Sequence, residues 1–206
     1  GPFTGDRTTP DVSINGTTAS AQFGYSVAAG KFNSDAFWDA LIARRSVGST
    51  TGNVDIYFGS STFDTTVDVE FTPPASPQSF GLSAGAGNVD NAYYDDVLIA
   101  EPGRDNDGDS IPGDGVVYLY KSPFSSTVST ANYTLYPSSN ATGQLGRGGI
   151  AIGTIDSDGY PDIVIGEPNV ASPSGRVQYY KGISFVSGSG NRYPNATLSA
   201  QAAGEK

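Results

Sequence analysis

The chain has 206 residues, 21 of them acidic and 11 basic, which gives a formal net charge of -10 at pH 7. It contains no cysteine, histidine or methionine, so disulfides, thiolate or imidazole catalysis and the usual zinc ligand sets are excluded. The acidic balance disfavours nucleic acid and anionic membranes as partners and favours divalent cations.

The sequence consists of an N-terminal run followed by three similar units. The run reads PDVSINGTTASAQ, and the units begin at Phe23 (FGYSVAAGKFNSDAFWDALIA), Phe80 (FGLSAGAGNVDNAYYDDVLIA) and Leu145 (LGRGGIAIGTIDSDGYPDIVIG). Such self-similarity at a spacing of several tens of residues predicts a repeat architecture.

Each unit continues into two further runs of β-type composition. The first is GNVDIYFG, GVVYLYKS or GRVQYYKG, and the second is TVDVEFTPP, ANYTLYPSS or NRYPNATLSA. Short segments rich in Val, Ile and Tyr, bounded by Gly, Asp and Pro, predict strands, and no segment shows helical periodicity. Each unit is therefore predicted to form about four short antiparallel strands, as in a propeller blade. The N-terminal run is similar to the last of these runs, so we predict one more outer strand there.

The repeated motifs resemble a known family. Phe-Gly near the start, an acidic loop, an apolar strand ending in Glu-Pro, and a closing Gly-x-Val-x-x-Tyr resemble FG-GAP repeats, as in the β-propeller of integrin α subunits. The resemblance covers about residues 12–200. The third copy, with Gly-Glu-Pro, matches best, whereas the first departs from the pattern with ARRS. We predict an all-β domain, or part of one, over 1–206, with repeats at about 23–79, 80–144 and 145–200 and an outer-strand-like segment at 1–22.

The loop of the third copy is the main candidate metal site. Ca²⁺ prefers six to eight oxygen ligands, which a short loop supplies from alternate carboxylates and a backbone carbonyl. The family carries ligands at loop positions 1, 3, 5, 7 and 9, so the resemblance implies Ca²⁺ ligands at Thr154, Asp156, Asp158, Tyr160 and Asp162. An EF-hand register fails, because it places Tyr160 and Pro161 where an oxygen ligand and Gly are required. The alternative is an Asp/Gly turn that only satisfies its own backbone.

The other two copies have less complete loops. In the second, Asn88, Asp90, Tyr94 and Asp96 form a weaker candidate Ca²⁺ site, since position 5 is an alanine. In the first, Lys31 occupies position 1. A lysine ammonium can replace a cation, so this loop is predicted to be metal-free and held by a salt bridge from Lys31 to Asp35 or Asp39.

A separate acidic loop lies in EPGRDNDGDSIPGDG. Its alternating Asp105, Asp107 and Asp109, followed by Asp114, would repel one another unless a cation neutralised them. We treat this loop as a further candidate Ca²⁺ site, with a simply solvated loop as the alternative.

Four N-x-Ser/Thr sequons lie at Asn15, Asn132, Asn140 and Asn195. A glycan cannot be buried, so we predict that these asparagines lie on solvent-facing outer strands or loops.

These features predict a non-enzymatic, calcium-stabilised structural or adhesion module located outside the cell or at its surface. The alternatives are a glycan-binding, lectin-like propeller and the propeller part of a secreted hydrolase. Most aromatic residues are predicted to pack between sheets, with Trp38 and Tyr94 the better candidates for exposure.

Three blades do not close a propeller ring of typically four to eight blades. The chain opens on Gly1 rather than Met, as if a leader or preceding segment had been removed. We therefore expect association with other copies or with missing blades, as part of a larger propeller, a ring or a filament.

Overall fold

The computed structural model describes residues 12–19, 21–45, 52–74, 77–106, 108–109, 113–139, 142–171 and 174–199. Their regular structure consists of β-strands and one 3-10 helix, Gly182–Phe185. No helix within these ranges is long and apolar enough to cross a membrane. The predicted all-β class is confirmed.

Each repeat forms one antiparallel sheet, which we call a blade. Blade 1 contains β1 (Phe23–Gly30), β2 (Asp39–Arg44), β3 (Asn53–Tyr57) and β4 (Val69–Phe71), in that order. Blade 2 contains β5 (Ala84–Gly87), β6 (Asp96–Glu101), β7 (Val116–Tyr120) and β8 (Tyr133–Leu135). Blade 3 contains β9 (Ile150–Gly153), β10 (Asp162–Ala171), β11 (Ser174–Tyr180) and β13 (Ala196–Ser199). The blades thus follow the predicted four-strand pattern and form an incomplete propeller over the described ranges.

A segment of each later blade lies along the outer strand of the blade before it. The short strand β12 (Gly190–Arg192) precedes β13 in sequence but pairs in parallel with β8 of blade 2. Val128, which precedes β8, makes an isolated parallel bridge to Phe71 of β4 in the same way. NRYPNATLSA is predicted to form one outer strand, whereas the structure divides it between two sheets.

The core lies in two layers between the blades. The side of each blade that points toward the following blade is called its back face. It is made of alternate residues on the second, third and fourth strands. In blade 1 these residues are Leu41, Ala43, Val54, Ile56, Val69 and Phe71, and in blade 2 they are Leu98, Ala100, Val117, Leu119, Tyr133 and Leu135. All twelve are at most 1% exposed, because the next blade covers them.

Small residues on the inner strands let the blades approach closely. A Cβ atom added at Gly87 of β5 would lie 2.9 Å from Cγ2 of Ile152 on β9. The inner strand of blade 2 is therefore Ala-Gly-Ala-Gly, a sequence of low intrinsic strand preference that packing selects.

The described part of the N-terminal run does not form the predicted outer strand, and residues 1–11 and 20 lie outside the described residues. Residues 12–19 have no regular structure, although Ser13 to Thr17 lie against blade 1 and line a cavity with Phe23 and Tyr57. A strand needs a neighbouring strand as hydrogen-bond partner, and the described part of the chain provides none for this run.

Candidate metal centre in the third blade

The acidic loops connect the first and second strands of each blade and occupy equivalent places. We call residues 31–39 loop 1, residues 88–96 loop 2 and residues 154–162 loop 3. Each loop ends on an aspartate that begins the second strand: Asp39, Asp96 or Asp162. The three loops therefore lie on corresponding edges of the three sheets.

The closing aspartate has the same structural role in every loop. Asp39, Asp96 and Asp162 are buried, and each accepts a backbone N–H bond from its own loop and one from just after the third strand. These six bonds measure 2.8 to 3.1 Å, and their donors are Phe32 and Gly59, Val89 and Ser122, and Ile155 and Gly182. Asp162 accepts a further loop bond from Asp156 N at 3.2 Å. Burial raises the pKa of Asp39 and raises that of Asp96 to about 6. This carboxylate fixes the loop to the sheet, a role that the sequence analysis missed.

Side-chain oxygens at positions 3 and 5 fold the loop. In loop 3 the backbone N–H of Asp158 donates to Asp156 Oδ1, and that of Tyr160 donates to Asp158 Oδ1, both at 2.9 Å. Loop 1 makes the same two turns with Asn33 and Asp35. Because Asn33 serves as well as an aspartate, the turn itself does not require a carboxylate at position 3.

Loop 3 brings its three carboxylates together. One oxygen from each of Asp156, Asp158 and Asp162 lies within 4.8 Å of the others, and this is the one such acidic group found in the described ranges. Gly159 has φ +87°, with open space where a Cβ would lie, as expected for the sharp turn. Thr154 and Tyr160 flank the group at positions 1 and 7, as the sequence register predicts.

The carboxylate group suits a hard divalent cation. Asp158 Oδ2 is shielded from solvent and has no hydrogen-bond partner, although buried carboxylate oxygens are normally paired. A divalent ion would satisfy this oxygen and offset the mutual repulsion of the three carboxylates. Oxygen donors without nitrogen or sulfur favour Ca²⁺ or Mg²⁺ over transition metals.

A lysine also reaches this group. Lys181, directly after β11, places Nζ 2.7 Å from Asp156 Oδ2, and Tyr179 donates its hydroxyl to the same oxygen at 3.0 Å. The hydrogen bond from Lys181 holds the pKa of Asp156 well below its usual range, and the same contact raises the pKa of Lys181. Lys181 had not been singled out in the sequence, although its repetition at Lys121 was visible there.

Loop 2 has a different arrangement of the predicted ligands. Asp90 pairs with Lys121 at 2.6 Å, and Asn88 donates its amide to Ala92 O at 2.5 Å. Asn88 Oδ1 is buried without a hydrogen-bond partner. Tyr94 lies at position 7 and Asp96 closes the loop. The weaker Ca²⁺ site proposed for these residues stays a prediction.

Loop 1 is not held by the predicted salt bridge. Both candidate partners are described, and Lys31 makes no ion pair with Asp35 or Asp39 within 4 Å. Asp35 instead accepts hydrogen bonds from Asn33 Nδ2 and Phe37 N, both at 2.8 Å. Short hydrogen bonds within the loop therefore replace the expected ion pair.

The second acidic loop is only partly described. Asp114 is buried and accepts a hydrogen bond from Asn106 N at 2.9 Å, and Asp105 accepts one from Gly108 N at 2.7 Å. Asp109 is exposed, and Asp107 lies outside the described residues. The Ca²⁺ site at these four aspartates stays a prediction.

Two of the sequon asparagines have a local structural role. Asn132 Oδ1 accepts the backbone N–H of Lys121, and Asn195 Oδ1 accepts that of Lys181, at 2.7 and 2.8 Å. Asn132 is half-buried, whereas Asn15 and Asn195 are exposed; Asn140 lies outside the described residues. Glycosylation at the four sequons stays a prediction.

Several aromatic side chains on loops 1 and 2 are exposed. Trp38 is 63% and Tyr93 is 94% exposed, while Tyr94 is half-buried. The predicted exposure of Trp38 is confirmed, but in loop 2 the exposed ring is Tyr93 rather than Tyr94.

The chain is similar to integrin α subunits. It is 30% identical to integrin alpha-5 of Xenopus laevis over 149 residues, or 71% of the chain and 14% of that protein. It is 29% identical to integrin alpha-8 of Gallus gallus over 164 residues, 78% of the chain and 15% of the relative. Integrin alpha-8 of Mus musculus is 29% identical over 162 residues, 77% of the chain and 15% of the relative. The chain thus spans about 15% of the length of these curated relatives. No protein-family model matches it.

Proposed function

Because the chain is built of FG-GAP repeats that resemble those of the integrin α propeller, we propose that it is a non-enzymatic, calcium-binding extracellular module with a structural or adhesive role. Rigid stacked blades place their connecting loops on rims that suit contact with other macromolecules. The ion stabilises the rim of blade 3, and the module works as part of a larger propeller or assembly.

The observation that carries the metal proposal is the carboxylate group of loop 3. Asp156, Asp158 and Asp162 converge within 4.8 Å, and Asp158 Oδ2 is buried without a hydrogen-bond partner. Thr154 and the Tyr160 carbonyl complete the ligand set by the family register. A bound Ca²⁺ would supply charge neutralisation and crosslink the loop.

The test is thermal unfolding in calcium and in chelator. A ligand at about 100 times its dissociation constant adds about 2.7 kcal/mol to the free energy of unfolding. For a chain of this size we expect calcium to raise the melting temperature by about 5–10 °C. Asp158→Ala should remove most of that increase, because it deletes the unpaired oxygen.

Asp35→Ala is the matched control. Asp35 occupies position 5 of loop 1 and makes the same turn as Asp158, but it does not belong to a carboxylate trio. This variant should lose the turn and keep the calcium response. A wild-type melting temperature that is indifferent to both calcium and chelator would show that loop 3 is only a turn.

The back face of blade 3 supports association with a further blade. Val164, Val177, Tyr179 and Leu198 occupy positions that are fully covered in blades 1 and 2. Here Leu198 is 62% exposed, and together with Val164 and Tyr179 it lines an apolar groove of about 430 Å³. We propose that a blade of the same type, from another copy or a longer propeller, covers this face.

The exposed aromatics of loops 1 and 2 favour glycan binding as a second candidate function. Exposed rings form stacking platforms for sugars, and Trp38 and Tyr93 are 63% and 94% exposed on these loops. A glycan array with wild type and Trp38→Ala tests this candidate. Reproducible binding that the substitution abolishes would support it, and a blank array with folded protein would exclude it for the glycans displayed.

A further inference from the structure

The same ion pair occurs in two blades. The residue after the third strand is Lys121 in blade 2 and Lys181 in blade 3, and each pairs with the aspartate at position 3 of its own loop. Nζ lies 2.6 Å from Asp90 Oδ2 in blade 2 and 2.7 Å from Asp156 Oδ2 in blade 3. The pair is therefore a feature of the repeat rather than of one loop.

Blade 1 shows that the two partners change together. Its equivalent positions carry Asn33 and Phe58, neither of which is charged. The loop still makes its turn, since the backbone N–H of Asp35 donates to Asn33 Oδ1 at 2.9 Å. The lysine is thus present where position 3 carries a charge and absent where it does not, which indicates that its role is to balance that charge.

The surroundings of the two lysines differ. Lys121 also donates to the carbonyls of Phe185 and Val186 in blade 3, and the side chains of the Lys121–Asp90 pair are only 19% and 9% exposed. The Lys181–Asp156 pair is more open, at 42% and 28%. Lys121 is held by the following blade, whereas Lys181 lies at a more open position beside its partner.

In loop 3 the ammonium group lies on an oxygen that a metal would use. Asp156 Oδ1 accepts the N–H of Asp158 and so folds the loop, and a cation that leaves this turn intact would engage the other oxygen, Oδ2. Lys181 and Tyr179 both donate to Oδ2. A cation that engages Asp156 there must displace the ammonium or share the carboxylate with it, and either costs binding free energy.

We propose that Lys181 is an affinity-determining residue of the loop 3 metal site, in which its tethered ammonium competes with the divalent cation for Asp156. This inference rests on the proposed metal-binding function. The lysine keeps the loop charge-balanced when calcium is low and shifts occupancy toward higher calcium concentrations.

The test is calorimetric titration of the whole chain with CaCl₂. Lys181→Met keeps the aliphatic stem and removes the charge. It should tighten calcium binding by about tenfold, the scale of one charge-assisted hydrogen bond at a partly exposed site. Lys31→Met removes the same charge from blade 1 and should leave the dissociation constant within about twofold of wild type. Lys181→Gln provides a second variant in case the methionine impairs folding, which circular dichroism in chelator would reveal.

Failure of the inference and failure of the metal site give different results. If wild type binds calcium and both Lys181 variants bind it with the affinity of Lys31→Met, or more weakly, Lys181 is not a competitor and the inference is wrong. If wild type itself shows no calcium binding, the proposed metal centre is wrong and the inference is overturned with it.

Discussion

Asp55 is a carboxylate that the fold buries without fully pairing it. It lies on β3 of blade 1, opposite Glu70 on β4, and its side chain lines the cavity beneath residues 13–17. The residue is 3% exposed, and Oδ1 has no hydrogen-bond partner. Burial, reinforced by Glu70 and opposed by the Arg44 guanidinium, raises the pKa of Asp55 to about 6. The charged form is therefore a local cost to stability.

Replacing Asp55 by asparagine should stabilise the protein in a pH-dependent way. The pKa is higher in the folded chain than the ordinary value of 3.8, so the folded state binds the proton more tightly, and wild type loses this stability as pH rises from about 4 to about 6. The asparagine amide of the variant does not titrate, so the variant loses no stability over this pH range. In urea titrations the unfolding free energy of Asp55→Asn relative to wild type should be near zero at pH 4 and favour the variant by up to about 3 kcal/mol at pH 7.5.

Asp64→Asn is the control for this pH profile. Asp64 is exposed on the segment between β3 and β4, and it accepts one hydrogen bond from Thr66 N. Its substitution should change stability by a similar small amount at both pH values. A pH-independent difference between Asp55→Asn and wild type would contradict the assigned cost of the buried charge.

The sequence identified the carboxylates of loop 3 better than the contacts that hold them in place. Alternating oxygens over 154–162 identify Asp156 and Asp158, because loop position determines which side chains point inward. The Asp162 side chain accepts backbone N–H bonds from its own loop and from Gly182, which lies 20 positions later in the chain. Lys181 likewise reaches Asp156 across the sheet. Contacts between residues this distant depend on strand register, which loop spacing alone does not reveal.

At the scale of elements, the Phe-Gly motif has a backbone explanation. Its glycines, Gly24, Gly81 and Gly146, have φ angles of +81°, +79° and +85°. This left-handed region is accessible to glycine at little cost. The large residues before Gly81 and Gly146, Phe80 and Leu145, each enter a layer between blades with no exposed surface. The motif therefore combines a required turn with an apolar anchor.

Alanine substitutions at two of these glycines should separate backbone strain from packing. A Cβ at Gly146 would lie 2.5 Å from Ala100 Cβ, whereas a Cβ at Gly24 has nothing within 4 Å. Both variants pay about 1 kcal/mol for the left-handed backbone. Gly146→Ala should lose about 1–3 kcal/mol more, because it overpacks the layer between blades 2 and 3.

Urea denaturation of the two variants measures this difference. Gly24→Ala is the control for backbone strain, since its new methyl group has open space. Equal losses of unfolding free energy in the two variants would show that the close approach at Gly146 relaxes without cost.

Strand existence was predictable element by element, but strand partners were not. The run GVVYLYKS became β7, whose alternate apolar residues face the layers on both sides of blade 2. The run GRVQYYKG became β11, in which Tyr180 faces the layer with blade 2 and Val177 and Tyr179 lie on the open back face of blade 3. The run NRYPNATLSA was divided between β12 and β13 because residues 190–192 find a hydrogen-bonding edge on the preceding blade. An edge supplied by another repeat is invisible in local composition, so the sequence could not reveal this parallel pairing.

At the scale of the whole molecule, the three blades repeat one interface and leave its third instance open. The back-face residues of blades 1 and 2 are enclosed by the following blade, whereas Val164, Val177 and Tyr179 are half-buried and Leu198 is 62% exposed. Contiguous apolar surface of this kind marks an interaction site or a risk of aggregation. Since both covered instances pack against a blade, a third blade-to-blade contact is the occupant that best fits this face.

Sedimentation of the isolated chain tests this assembly. At micromolar concentration we expect wild type to sediment as a species heavier than the 21.3 kDa chain, because burying one Leu side chain contributes about 1.5–3 kcal/mol and the face offers several apolar groups. Leu198→Lys places a charge on the face and should return the protein to a monomer. Its unfolding free energy should change little, because Leu198 is already 62% exposed in the single chain.

Ile183→Lys is the control for this test. Ile183 is 50% exposed on the 3-10 helix, away from the back-face strands, and its substitution should leave the association intact. A compact, stable wild-type monomer with no other polypeptide present would show that blade 3 needs no partner.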